Sequence, residues 1–133
     1  MSTAANEVMI NAGQLPWLPM IDGIDFKLLR ISEETGSWTV LFRCQPGSSF
    51  PIHKHLGAGE YYVLTGRMVY RIGEAGPSTY GYEPLGVIHE STTFPEYTEL
   101  LFTNHGPVAF LDDDGGVKQL LDGDYLSGLA ADA

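Results

Sequence analysis

The chain has 133 residues, 44% hydrophobic and 18% charged, which is the size and mix of one globular domain, so a single domain over residues 1–133 is expected. A formal net charge of −10 with only seven scattered Lys and Arg excludes nucleic acid as the main partner, because gripping a phosphate backbone needs clustered cations. No segment is long and apolar enough to span a bilayer, and Met1 to Val8 has no basic stretch leading into an apolar run, so no membrane role and a cytoplasmic setting are expected.

Along the chain, short β-rich runs alternate with glycine-containing turns. The predicted strands are Phe26 to Ile31, Trp38 to Cys44, Ser49 to His53, Glu60 to Leu64, Arg67 to Ile72, Ser78 to Tyr82, Glu99 to Thr103 and Val108 to Leu111. Between them lie turn sequences such as Pro46-Gly47, Thr65-Gly66, Gly73-Glu74-Ala75-Gly76-Pro77 and Asn104-His105-Gly106-Pro107. The fold class is therefore all-β. The best helix candidate is the short tail after Asp122, while residues 1–13 and 128–133 read as arms. Cys44 lies among Val40, Leu41 and Phe42 and has no partner for a disulfide, so it is expected as a packed thiol.

Three histidines carry the chemistry. His53 and His55 flank Lys54 in a strand, where side chains alternate faces, so both imidazoles point the same way. His89 follows Pro84-Leu85-Gly86-Val87-Ile88 on a second apparent strand and supplies a third imidazole. Together His53, His55 and His89 are the predicted metal ligands. The ion is not set by spacing, since imidazole suits iron, copper, nickel and zinc.

Gly47, five residues, His53-Lys54-His55, a nearby acidic residue and Gly66 resemble the first cupin motif, and Pro84-Leu85-Gly86-Val87-Ile88-His89 resembles the second. The resemblance implies a single-domain double-stranded β-helix, or jelly-roll, barrel with a metal held inside its mouth. Many cupins add a glutamate ligand from the strand that ends at the motif glycine. Here the position counted back from Gly66 is Gly59, and Glu60 is one residue late, which turns its side chain to the opposite face. Tyr61 and Val63 then face inward and Glu60 outward unless a bulge intervenes, so a three-histidine site is expected, with Glu60 as the alternative fourth ligand. Three neutral imidazoles preserve the full charge of a divalent ion and leave positions open to a chelating oxygen anion.

Among cupins, the chain resembles the bacterial carbon–carbon-cleaving dioxygenases of 2,4'-dihydroxyacetophenone and acetylacetone, which are related to anti-sigma-factor cupins. The stretches that carry this are Trp17-Leu18-Pro19-Met20, Phe26-Lys27-Leu28-Leu29-Arg30, Gly36-Ser37-Trp38-Thr39, His55-Leu56-Gly57-Ala58-Gly59 and Tyr82-Glu83-Pro84-Leu85-Gly86. The resemblance implies iron(II) on the three histidines, a small carbonyl substrate and dioxygen as partners, and a homodimer or larger homo-oligomer. It also implies pocket roles for Phe50, Tyr61, Arg71, Glu83 and Thr92. Glu83 would accept an imidazole N–H, Arg71 would pair with Glu83 or with the substrate anion, and Tyr61 and Thr92 would hydrogen-bond water or substrate. By parity, Arg67, Val69 and Arg71 share one face of their strand.

Plainer readings stand beside these. Arg71 and Glu83 could form a structural ion pair, Tyr61 and Phe50 ordinary barrel packing, His105 a solvated turn, and Asp112-Asp113-Asp114 a turn lacking the spacing of a calcium loop. At the level of function, a non-catalytic metal- or ligand-sensing cupin, or a zinc or nickel cupin acting as hydrolase or isomerase, remains as an alternative to oxygen chemistry.

Overall fold

The computed structural model describes residues 7–132. Fourteen strands follow one another as β1 (Leu18–Ile21), β2 (Ile24–Ile31), β3 (Trp38–Cys44), β4 (Ser48–Phe50), β5 (His53–His55), β6 (Gly59–Thr65), β7 (Met68–Tyr70), β8 (Gly73–Ala75), β9 (Tyr80–Glu83), β10 (Ile88–His89), β11 (Thr92–Phe94), β12 (Thr98–Asn104), β13 (Val108–Leu111) and β14 (Val117–Leu121), before the helix α1 (Gly123–Asp132). A six-stranded sheet runs β1-β2-β3-β12-β6-β9, and two four-stranded sheets run β10-β5-β13-β14 and β4-β11-β7-β8. All recorded pairings are antiparallel, giving a jelly roll. Among the described residues no helix is long and apolar enough to cross a membrane.

Strict alternation builds the barrel interior. Along β3 the buried residues are Trp38, Val40, Phe42 and Cys44, and along β12 they are Thr98, Leu100, Phe102 and Asn104. These faces meet Phe26, Val63 and Phe94 in one core. Cys44 is part of it, and burial pushes its thiol far above the usual range, so it is packing rather than a nucleophile.

The predicted Ser49 to His53 run is split. Pro51 separates β4 from β5, and the two halves join different sheets, because proline offers no N–H to continue a ladder. β8 lies inside a stretch read as a turn, and β14, exposed along four of its five residues, shows no alternation to read. The tail after Asp122 is helical as expected, started by Asp122, whose Oδ1 accepts from the Tyr125 N–H at 2.9 Å, and anchored by the fully buried Leu126; the helix runs on through Asp132, which corrects the reading of those last residues as an arm. Of the N-terminal arm, residues 1–6 lie outside the described residues. Farther on, a 3₁₀ turn forms at Ala12–Gln14, and Lys27 Nζ donates to the Ala12 carbonyl at 2.7 Å.

β6 and β9 pair so that Gly81 lies opposite Tyr61. A Cβ at residue 81 would come 2.1 Å from the Tyr61 ring, so that glycine lets the ring lie across the neighbouring strand. Gly81→Ala is expected to lower stability by about 1–3 kcal/mol through overpacking, whereas Gly76→Ala, where nothing lies within 4 Å, should stay within about 0.5 kcal/mol of the parent. Urea unfolding of the two variants side by side checks this, and equal effects would remove the steric account.

Candidate metal centre

The three histidines meet through one pairing. β5 presents His53 and His55 inward, and β10 pairs with it so that His89 stands directly across from His53. The ring centroids form a near-equilateral triangle, 5.3 Å from His53 to His55, 5.1 Å from His53 to His89 and 5.2 Å from His55 to His89. One donor atom from each lies within 4.8 Å of the other two, and all three residues are buried.

Two of the rings are oriented from behind. His53 Nδ1 lies 2.8 Å from the Pro51 carbonyl, an obligate acceptor, so that nitrogen carries the proton and Nε2 is left as a lone-pair donor. His55 Nδ1 lies 2.9 Å from Asn104 Oδ1. Its Nε2 is buried without a hydrogen bond, a state that costs free energy unless something occupies the point it faces. A buried, unpartnered imidazole nitrogen converging with two others is the donor set of a transition-metal ion, so His53, His55 and His89 fit such an ion.

Glu83 stands in front of these rings. Its Oε2 is 3.1 Å from His89 Nδ1 and its Oε1 is 3.4 Å from His55 Nε2. Burial raises this carboxyl to about 7. The expected pair with Arg71 does not form: β7 turns Met68 and Tyr70 inward, so the face shared by Arg67, Val69 and Arg71 is the outer one, and Arg71 is exposed just past the strand end. Tyr70 holds the inner place instead. Its ring lies 5.2 Å from His89, and its hydroxyl is 2.7 Å from that of Tyr61, the buried residue on β6. Thr92 is buried opposite Phe50 in the β4–β11 pairing, with its hydroxyl unpaired.

Glu60 points away from the histidines. It accepts from the Tyr80 hydroxyl and lies 2.8 Å from His105 Nε2, and the His105 and Tyr80 hydrogen bonds hold its carboxyl below the usual range. His105 is thus an exposed partner of Glu60 and of Ser37.

The space before the histidines is a cavity of about 40 Å³ walled by Phe42, Phe50, Phe102, Val108 and Phe110, with Tyr61, Glu83 and Thr92 as its other polar lining. Two neighbours of the site escape a reading of single segments, Tyr70 and Asn104. The Met68/Tyr70 alternation against Arg67/Val69/Arg71 was the available signal for the first. Asn104 is masked by its place in a turn-like sequence.

Residues 5–109 match the ChrR cupin-like domain. An acetylacetone-cleaving enzyme of Acinetobacter johnsonii is 46% identical over 101 residues, covering 71% of this chain and 66% of that enzyme, so the match spans just under two thirds of the relative's length. The crystal structure of an acetylacetone dioxygenase from Acinetobacter johnsonii superposes with a TM-score of 0.86, at 34% identity over 99% of this chain and 95% of that one; the lower identity belongs to the longer alignment. The anti-sigma protein ChrR, solved with SigE of Rhodobacter sphaeroides, gives a TM-score of 0.63 at 17% identity, covering 71% of this chain and 51% of that chain, and shares the fold.

Burial also makes the metal-free centre pH-sensitive. It lowers His53 and His89 to about 4, against 6.5 ordinarily, so below about pH 6.5 the unfolded chain takes up two protons that the folded chain refuses, and His55, also lowered by burial, acts in the same direction. Glu83 opposes this, binding its proton in the folded state up to about 7 rather than 4.5. The balance is between one and two protons taken up on unfolding, so stability should fall on acidification from about pH 6.5 to 4.5, by about 1–3 kcal/mol per pH unit. Glu83→Gln removes the counterweight and should steepen the fall. Urea midpoints of chelator-treated protein across this window test the sign, and stability rising on acidification would contradict it.

Proposed function

Because the chain belongs to the ChrR cupin-like domain family, we propose that it is an iron(II)-dependent dioxygenase that cleaves a carbon–carbon bond in a small enolisable ketone of the β-diketone or hydroxyacetophenone type. The observation that carries this is the donor set: three buried imidazoles converge, with the Glu83 carboxyl in front of two of them, in a small cavity with mostly hydrocarbon walls. The likeness to the acetylacetone-cleaving enzyme supports the substrate class. His53, His55 and His89 would hold an iron(II) ion, which would supply positive charge to stabilise a substrate enolate and the redox capacity to react with dioxygen.

The side chains around it divide the remaining work. Glu83 takes the proton from the carbon next to the substrate carbonyl: Oε1 borders the space in front of His55, and burial raises its carboxyl above the ordinary carboxylate range. Its Oε2, against His89 Nδ1, steadies that ring. The unpaired Thr92 hydroxyl is free to donate to a substrate oxygen, and the Tyr61–Tyr70 pair keeps a second polar edge beside His89. Phe50, edge-on to His53, and Phe110 exclude bulk water. Arg71, outside with Ile88 and Glu90, borders a surface hollow beside Tyr70 and attracts the anionic form of the substrate to that side.

A homo-oligomer belongs to the same reading. Tyr62, Leu64, Tyr80 and Tyr82 are exposed on β6 and on β9, which ends its sheet, and such a face is suited to burial against another copy. Sedimentation of the chain as a monomer would remove this part.

Protein loaded anaerobically with iron(II) should consume dioxygen when given acetylacetone or a hydroxyacetophenone. Glu83→Gln should lower kcat by about 10²–10⁴-fold while retaining iron. An iron-loaded, folded sample that consumes no oxygen with either substrate class would overturn the assignment.

A further inference from the structure

Asn104 closes β12, fully buried, opposite Gly59. Its amide nitrogen faces three carbonyl oxygens, those of Gly106 at 2.5 Å, Gly57 at 3.3 Å and Pro107 at 3.4 Å. Carbonyls only accept, so the NH₂ end must lie there, and the oxygen end is left to face His55 Nδ1 at 2.9 Å. That oxygen can only accept, which requires the single proton of the neutral ring to sit on Nδ1. His55 Nε2 then keeps its lone pair toward the convergence point, where it makes no hydrogen bond although Glu83 Oε1 stands 3.4 Å away.

Gly59 belongs to the same device. A Cβ there would lie 2.8 Å from Asn104 Oδ1 and 3.2 Å from His55 Cε1, so any side chain at this position would press on the pair. The loop bearing two of these carbonyls, those of Gly106 and Pro107, is itself held from the core, since Trp38 Nε1 donates to the Gly106 carbonyl at 2.9 Å. A buried amide with both ends committed has one orientation, and it transmits that orientation to the ring.

We propose that Asn104, with Gly59 making room for it, is the positioning residue of the metal centre: it sets His55 in the Nδ1–H tautomer before any ion arrives, leaving Nε2 ready to bind. This rests on the reading of the three histidines as metal ligands, and not on the reaction carried out there. His53 has the equivalent support from a backbone carbonyl and serves as an internal standard. The role is preorganisation. Without it the ring must change tautomer or turn over in order to bind.

The test uses the full chain, labelled with ¹⁵N-histidine and freed of metal, at a pH where the site histidines are neutral. In the parent, the His55 resonances should show a protonated Nδ1 and an unprotonated Nε2. Asn104→Leu should shift His55 toward the Nε2–H form, leave His53 unchanged and raise the zinc dissociation constant about 10–100-fold. Asn104→Asp, which keeps an acceptor toward His55 but sets a carboxylate oxygen against three carbonyls, should retain the tautomer while losing thermal stability. A parent His55 protonated on Nε2 overturns the proposal without any variant, and so does an Asn104→Leu protein with parental tautomer and zinc affinity. Turnover is not measured, so a chain that passes this test yet consumes no oxygen would sink the dioxygenase reading and leave Asn104's role intact.

Discussion

The register between β5 and β10 is the constraint on which the rest depends. With His89 opposite His53 and His55 two residues along the same face, three imidazoles reach one point from two strands. A shift of one residue on either strand would send a ligand through to the other face of its sheet, since strand periodicity is two. Because β5 is also paired with β13, at His55 to Val108 and His53 to Phe110, its register is fixed from both sides. The donor geometry is therefore held by backbone ladders, which are far stiffer than side-chain torsions.

Around that frame, low polarity and a few committed hydrogen bonds set the protonation states. Burial favours neutral imidazoles and a protonated carboxyl, and each shift acts against charge in a hydrocarbon surrounding. Pro51 and Asn104 assign the protons of two rings from behind, while Glu83 meets two rings from the front. The phenylalanine wall serves both ends: it packs the barrel, and it surrounds the histidines with hydrocarbon. In this way one apolar barrel interior supplies both packing energy and electrostatic control.

Local periodicity made much of this readable in advance. His53 and His55 share a face because they are two apart, and the one-residue offset of Glu60 from the position filled by Gly59 turns it outward, where it meets Tyr80 and His105. Boundaries were lost where pattern was weak or interrupted, at Pro51, in the exposed β14 and in the three-residue β8. Arg71 shows the limit of parity counting: its face is a relative property, and deciding that Met68 and Tyr70 are the inward pair requires the sheet against which β7 packs.

The sequence by itself determined the strand-rich class, the histidine ligands proposed here and the exclusion of Glu60 from their face, because alternation and short spacings are carried by adjacent residues along one strand. Only the tertiary structure decided which groups stand around those histidines. Glu83 lies in front of His55 and His89, Tyr70 takes the inner place beside Tyr61, and Asn104 reaches His55 across 49 positions of chain. Such meetings depend on how β6, β9, β10 and β12 register against one another, and hydrogen bonds between distant strands leave no periodic trace in any single segment.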